Sequence, residues 1–208
     1  MVNVGTIFYT WLGLKILGKS LQKYYSINPI LVQVAVFSCT PLFFYVFSRP
    51  LMAHGISFFM VSVLLYLWVK WHDILNTKQL FFCAFILGLA SLVRWQNVLF
   101  AVIFMPQLYK TLLNTCKHHS IMRTAAKMVL NFFLMIMGFI LGFLPQLIAW
   151  QVQFGSPTPR AQDPSQFHVF NPDLKEVWFG QHGFFVWHPL TIVFLLGFLY
   201  FFLTRELK

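Results

Sequence analysis

Carboxylates are nearly missing from this chain: 5 Asp and Glu stand against 15 Lys and Arg in 208 residues, and none precedes Asp73. That scarcity leaves no obvious catalytic base, because acid/base chemistry needs a titratable group placed beside the reacting atoms. No catalytic residue is therefore assigned. Cysteine is also scarce. Cys39 and Cys83 fall inside apolar runs and Cys116 in a basic stretch, with no spacing that suits a disulfide framework or a zinc site. His118 and His119 are adjacent, so they point different ways on a helix, and no third ligand is near. No metal is expected, and no cofactor. Charge of either sign is thin, at 10% of residues, whereas 59% are hydrophobic and 26 are Phe. A soluble domain of this length has no core large enough to hide that apolar surface.

What is present is a series of apolar runs separated by basic stretches. A net charge of +10 would suggest nucleic acid in a soluble protein. Here a positive-inside bias accounts for it, since the basic residues lie between apolar runs where anionic lipid waits. Membrane lipid is thus the expected surroundings, and no nucleic acid partner is expected. Residues 29–47, 51–69, 128–150 and 184–203 are each long enough to cross a hydrocarbon layer that takes about 20 residues of helix. The expectation is an all-α fold in one domain over 1–208, a polytopic transmembrane bundle of about five to seven helices with a broken helix pair around Arg94. The run 2–14 is too short to span, and the amino end lacks a basic region and a cleavage site. The chain is therefore expected to be a fragment whose first helices are missing.

The pivotal stretch is 88–106, where an apolar run is interrupted by Arg94-Trp95-Gln96-Asn97 and then resumes. Neither 80–93 nor 98–109 crosses comfortably alone. Two short helices meeting at a polar elbow would let Arg94 reach water or an anion. The charge distribution favours that elbow. If the pair enters and leaves on one side, 11 of the 15 basic residues share that side and only Arg49, Arg94, Arg160 and Lys175 oppose them. A single crossing would erase the bias, which otherwise marks the basic side as cytoplasmic.

Arg49, His54, Arg94 and the 151–183 loop then share the extracytoplasmic face. An intramembrane arginine either pairs with a backbone carbonyl and snorkels, or holds a lipid phosphate through its forked donors. Arg49 and His54 bracket a helix start, whose amides favour an anion; a headgroup arginine and a capping histidine would look the same. Gln96, His182 and Trp187 are further candidates for contacts at that face. Gly138 and Gly142 form a small-residue pair suited to close helix packing. Trp68, Trp71, Trp150, Trp178 and Trp187 suit interfacial anchoring.

Several motifs in order, Ser48-Arg49-Pro50-Leu51-Met52-Ala53-His54, Gly88-Leu89-Ala90-Ser91-Leu92-Val93-Arg94 with Pro106, Leu144-Pro145, Phe154-Gly155-Ser156-Pro157 and His182-Gly183-Phe184-Phe185-Val186-Trp187, resemble bacterial membrane glycosyltransferases of the GT-C superfamily. The likeness is to the protein O-mannosyltransferases and the lipid A aminoarabinose transferase. It runs over nearly the whole chain. It implies a multi-pass enzyme of the bacterial inner membrane that moves a sugar from a polyprenyl-phosphate carrier to an acceptor outside the cell, with Arg94 on the carrier phosphate. The resemblance places an Asp where this chain has His54, and a catalytic acid in an amino-terminal external loop that is expected to precede this chain. The chain alone is thus expected to be inactive, its partner being the missing amino-terminal portion. The competing expectation is a non-catalytic polytopic protein, a lipid-phosphate binder or part of a transporter.

Overall fold

Capping chemistry fixes several helix starts. The computed structural model describes residues 2–23, 28–48, 52–71, 74–118, 121–157, 173–180, 184–187, 192–193, 195–197 and 199–200. Among these there is no strand. The helices are α1 (Val2–Gln22), α2 (Pro29–Cys39), α3 (Leu42–Phe47), α4 (His54–Lys70) and α5 (Thr77–Val93), then a 3-10 helix (Trp95–Phe104), α6 (Met105–His118), α7 (Ile121–Phe154), α8 (Leu174–Phe179) and α9 (Phe184–Trp187). Asn28 accepts from the Ile30 amide ahead of Pro29, the residue type favoured at a first helical position. Asn76 and Gln79 exchange hydrogen bonds in a reciprocal capping box at the start of α5.

Two expectations about length are corrected. Residues 29–47 do not form one helix: Thr40 is extended (φ −116°, ψ 166°) and separates α2 from α3. The ring of Pro41 pushes the preceding residue out of the helical region, and Thr40 Oγ1 takes the Leu42 amide while donating to the Val36 carbonyl. The apolar run 2–14 is only part of a 21-residue helix, α1. Lys15 does not end it, because its ammonium lies 5.5 Å over the Trp11 ring one turn back.

Small residues set the helix pairs. A side chain on Gly55 would strike Thr6 and Thr10, and one on Gly13 would strike Phe58. Lys23 Nζ donates to the Val69 carbonyl at 3.2 Å. α1 and α4 therefore run side by side in the same direction. Gly18 faces Pro29 and Gln33, so α2 turns back along α1. The tightest pairing joins α5 and α7: a Cβ on Gly88 would overlap the Phe139 carbonyl, one on Gly138 the Phe81 carbonyl, and one on Gly142 the Phe85 carbonyl. The small-residue pair at Gly138 and Gly142 does what its spacing predicts. Contacts advance together along both chains, so α5 and α7 are parallel.

Parallel packing of α5 and α7 requires a return limb, which the 3-10 helix and α6 supply. The Leu75 amide donates to Thr111 Oγ1 at 3.1 Å, bringing α6 back to the start of α5. Thr124 Oγ1 donates to the Thr115 carbonyl and Thr77 Oγ1 to Asn131 Oδ1, placing the start of α7 at the same end. The stretch around Arg94 is thus the tip of a hairpin. Leu64, Leu67, Leu75, Leu80, Cys83, Leu87, Ala90 and Phe104 form the core where this hairpin meets α4.

Two segments are long and apolar enough to cross a membrane, Trp95–Cys116 and Thr124–Phe154. The first makes the second limb longer than the expected 98–109, since the helix continues past Lys110 instead of stopping there, whereas the first limb, Thr77–Val93, stays short of that length. The carboxyl-terminal part of the second limb is inside-out by the standards of water. Gln107, Thr111 and Thr115 are buried, one turn apart, whereas Met105, Tyr109 and Leu113 are exposed at the same spacing. Along α7, Val129, Phe132, Phe133, Ile136, Ile140, Ile148 and Val152 are exposed as well. A helix surrounded by water buries its apolar stripe; outward apolar rows with inward hydroxyls and amides are what hydrocarbon surroundings permit.

Candidate functional site

The break at Arg94 is built from both sides. Arg94 is extended (φ −150°, ψ 120°), yet its backbone polar groups are satisfied: its amide donates to the Ala90 carbonyl at 3.2 Å, and its carbonyl accepts the Asn97 amide at 2.9 Å. That second bond spans three residues and starts the 3-10 helix. Asn97 is 5% exposed, and its Nδ2 donates to the Ala90 carbonyl and to Ser57 Oγ, both at 2.9 Å. The Ser57 hydroxyl donates in turn to Asn97 Oδ1 at 3.1 Å. One amide therefore ties the last turn of α5, the 3-10 helix and α4 together.

His54 is the first residue of α4, and the structure brings it to Arg94. Arg94 Nη1 lies 2.8 Å from His54 Nδ1. Guanidinium has no acceptor, so it donates, Nδ1 accepts, and the ring proton is on Nε2 of a neutral imidazole. The ring of Tyr45, from α3, stacks on His54 with centroids 3.6 Å apart and planes 16° from parallel. Three elements separated by loops thus converge on one cation.

A cleft of about 280 Å³ opens beside Arg94. It is lined by the end of α5 (Ser91, Leu92, Val93), by Arg94, Trp95 and Gln96, and on its α7 wall by Phe143, Gln146 and Trp150. Phe143 and Trp150 meet edge to face at 5.7 Å and stiffen that wall. Among the described lining residues the charge is Arg94 alone, the polar groups are Gln96, Gln146 and Ser91, and no carboxylate is present. No family model, curated protein or solved structure matches the chain.

Of the residues singled out in the sequence, Arg94, His54 and Gln96 are brought to one end of the bundle, with Gln96 exposed and lining the cleft. Arg49 and His182 lie outside the described residues, as does the side chain of Trp187, whose backbone closes α9. Sequence reasoning gave no site role to Asn97, Ser57, Tyr45 or Gln146. Asn97 had a signal, because asparagine after an apolar run often bonds back to nearby backbone and competes with the helix. Ser57, Tyr45 and Gln146 had none, since their roles depend on residues on other helices. In chemical terms the cleft offers one guanidinium, two side-chain amides and flat apolar walls, which suits an anion attached to a larger polar and apolar body.

Proposed function

We propose that this chain is a multi-pass protein of a bacterial inner membrane that holds the phosphate of a polyprenyl-phosphate-linked sugar at Arg94, as the carrier-binding part of a GT-C-type glycosyltransferase working at the extracytoplasmic face. The observation that carries the reading is Arg94 at the tip of the hairpin, bound to a neutral imidazole and lining a cleft without a described carboxylate. A guanidinium so placed offers forked N–H donors matched to phosphate oxygens. The outward apolar rows of α6 and α7 suit the lipid in which such a carrier is dissolved. The motif order, Arg49 to His54, Gly88 to Arg94 and His182 to Trp187, supports a transferase.

Transfer would proceed by attack of an acceptor hydroxyl on the anomeric carbon as the bond to phosphate breaks, the phosphate leaving with the electron pair and a carboxylate taking the hydroxyl proton. Because the described cleft residues include no carboxylate, a second reading is carrier binding without transfer. The two share the same ligand and differ in chemistry.

The test is binding of a polyprenyl monophosphate to the protein in lipid nanodiscs, followed by transfer of labelled sugar. Losing a charge-assisted phosphate contact costs about 1.5–3 kcal/mol, so Arg94→Ala is expected to weaken binding by roughly tenfold or more. Equal binding by wild type and Arg94→Ala would sink the proposal. Labelled product separates transferase from binder.

A further inference from the structure

We propose that His54 does not contact the phosphate but positions Arg94 without cancelling its charge, and that Tyr45 holds the imidazole in the orientation this requires. The inference rests on the reading of Arg94 as the phosphate-holding cation. It adds what makes the cleft choose an anion.

The geometry leaves His54 little else to do. Nδ1 is taken up by Arg94 Nη1 at 2.8 Å, and one ring face is covered by Tyr45 at 3.6 Å. Stacked rings resist tilting, so the Nδ1 lone pair stays aimed at the guanidinium. The bond uses one of the five N–H donors of Arg94 and brings no negative charge. The other four N–H donors have no described partner, and Arg94, which lines the cleft, keeps its full positive charge. A carboxylate in the same place would accept two of those donors side by side and neutralise the pair. Partly buried guanidinium needs some partner to stay in place, and a neutral acceptor supplies one while keeping the field that an incoming phosphate meets.

Position in the fold agrees with this division of labour. His54 opens α4, where backbone amides add partial positive charge, and no acidic residue lies in the first turn. Tyr45 reaches the ring because α3 is set off from α2 at Thr40 and Pro41. The GT-C resemblance places an Asp at this position, so the neutral acceptor is a feature of this chain: with Arg94 Nη1 bound at Nδ1, an acid at position 54 damages the site.

The experiment uses the full chain in nanodiscs with polyprenyl monophosphate as probe, alongside imidazole nitrogen NMR of His54. Expected are an Nε2–H tautomer in the wild type, binding within about threefold of wild type for His54→Asn and Tyr45→Phe, and loss of roughly tenfold with a flattened salt dependence for His54→Asp. Tyr45→Ala is expected to weaken binding and broaden the His54 signals, an effect that Tyr45→Phe does not share. Binding by His54→Asp as tight as wild type overturns the inference, as does an Nδ1–H tautomer or an equal loss in His54→Asn and His54→Asp. Each of those outcomes leaves Arg94-dependent phosphate binding intact. If the wild type binds no phosphate, or Arg94→Ala binds as well as wild type, the proposed function falls and the inference falls with it.

Discussion

Asn97 uses its side chain where a continuing helix would have used a neighbour's backbone. The amide that reaches back to the Ala90 carbonyl is the same one that bonds Ser57, so the bend at Arg94 is fastened to α4 at its tip. Interhelical hydrogen bonds of this kind in membrane proteins are worth about 0.6 kcal/mol on average and up to about 1.7. Asn97→Leu, which keeps the volume and removes the donors, is expected to cost about 1–2 kcal/mol, and Ser57→Ala about half that. Denaturant unfolding in detergent micelles measures both. A fully stable Asn97→Leu protein would show that packing alone keeps the bend. The same residue marks how far the sequence reached at this scale. Arg-Trp-Gln-Asn in an apolar run announced a break, but the sequence drew attention to Gln96, which is exposed, and not to Asn97, whose worth lies in Ser57, 40 residues earlier. The pair His54 and Arg94 is separated by the same distance in the chain. Contacts of that range leave no periodicity behind, so each partner is visible only as an odd residue in its own run.

Between helices, the glycines divide into those that are touched and those that are not. At Gly142 an added Cβ would meet the Phe85 carbonyl and the Leu89 amide, both backbone atoms of α5 that cannot swing aside. Gly142→Val is therefore expected to force α7 from α5 and cost several kcal/mol, on the order of 1–3 or more for overpacking. Gly5 in α1 has nothing within 4 Å, so Gly5→Ala is expected to be neutral or to stabilise by up to about 1 kcal/mol through helix propensity. Thermal unfolding in detergent compares the two, and similar melting temperatures would deny that the α5–α7 contact is governed by backbone approach. The glycine pair was legible because spacing alone defines a close face. Helix ends were less so. α1 continues past Lys15 because a lysine stem can lie along Trp11, and α2 stops at Thr40 because the ring of Pro41 pushes that residue out of the helical region; neither outcome can be read from apolar run length.

At the scale of the molecule, the hairpin decides which residues share an end. Thr111 at the Leu75 amide and Thr115 at Thr124 put the last turns of α6 with the starts of α5 and α7, while Gln146 and Trp150 of α7 stand with Arg94 at the opposite end. The exposed lysines Lys78, Lys110 and Lys127 fall toward the first end. Basic residues favour the cytoplasmic side of a membrane, so in the proposed multi-pass arrangement the Arg94 cleft would face outward. The charge count in the sequence already favoured a doubled-back pair, though not the length of its second limb, Trp95–Cys116. A native cysteine tests the arrangement. Cys116 is exposed near the basic end, and Gln96 is exposed at the tip. In intact cells a membrane-impermeant thiol reagent is expected to leave Cys116 unlabelled until the membrane is opened. It is expected to label Gln96→Cys directly in a Cys116→Ser background. Reaction of both positions from the same side would mean that the limb between them does not cross, and the cleft would then lose the outward face on which its proposed chemistry depends.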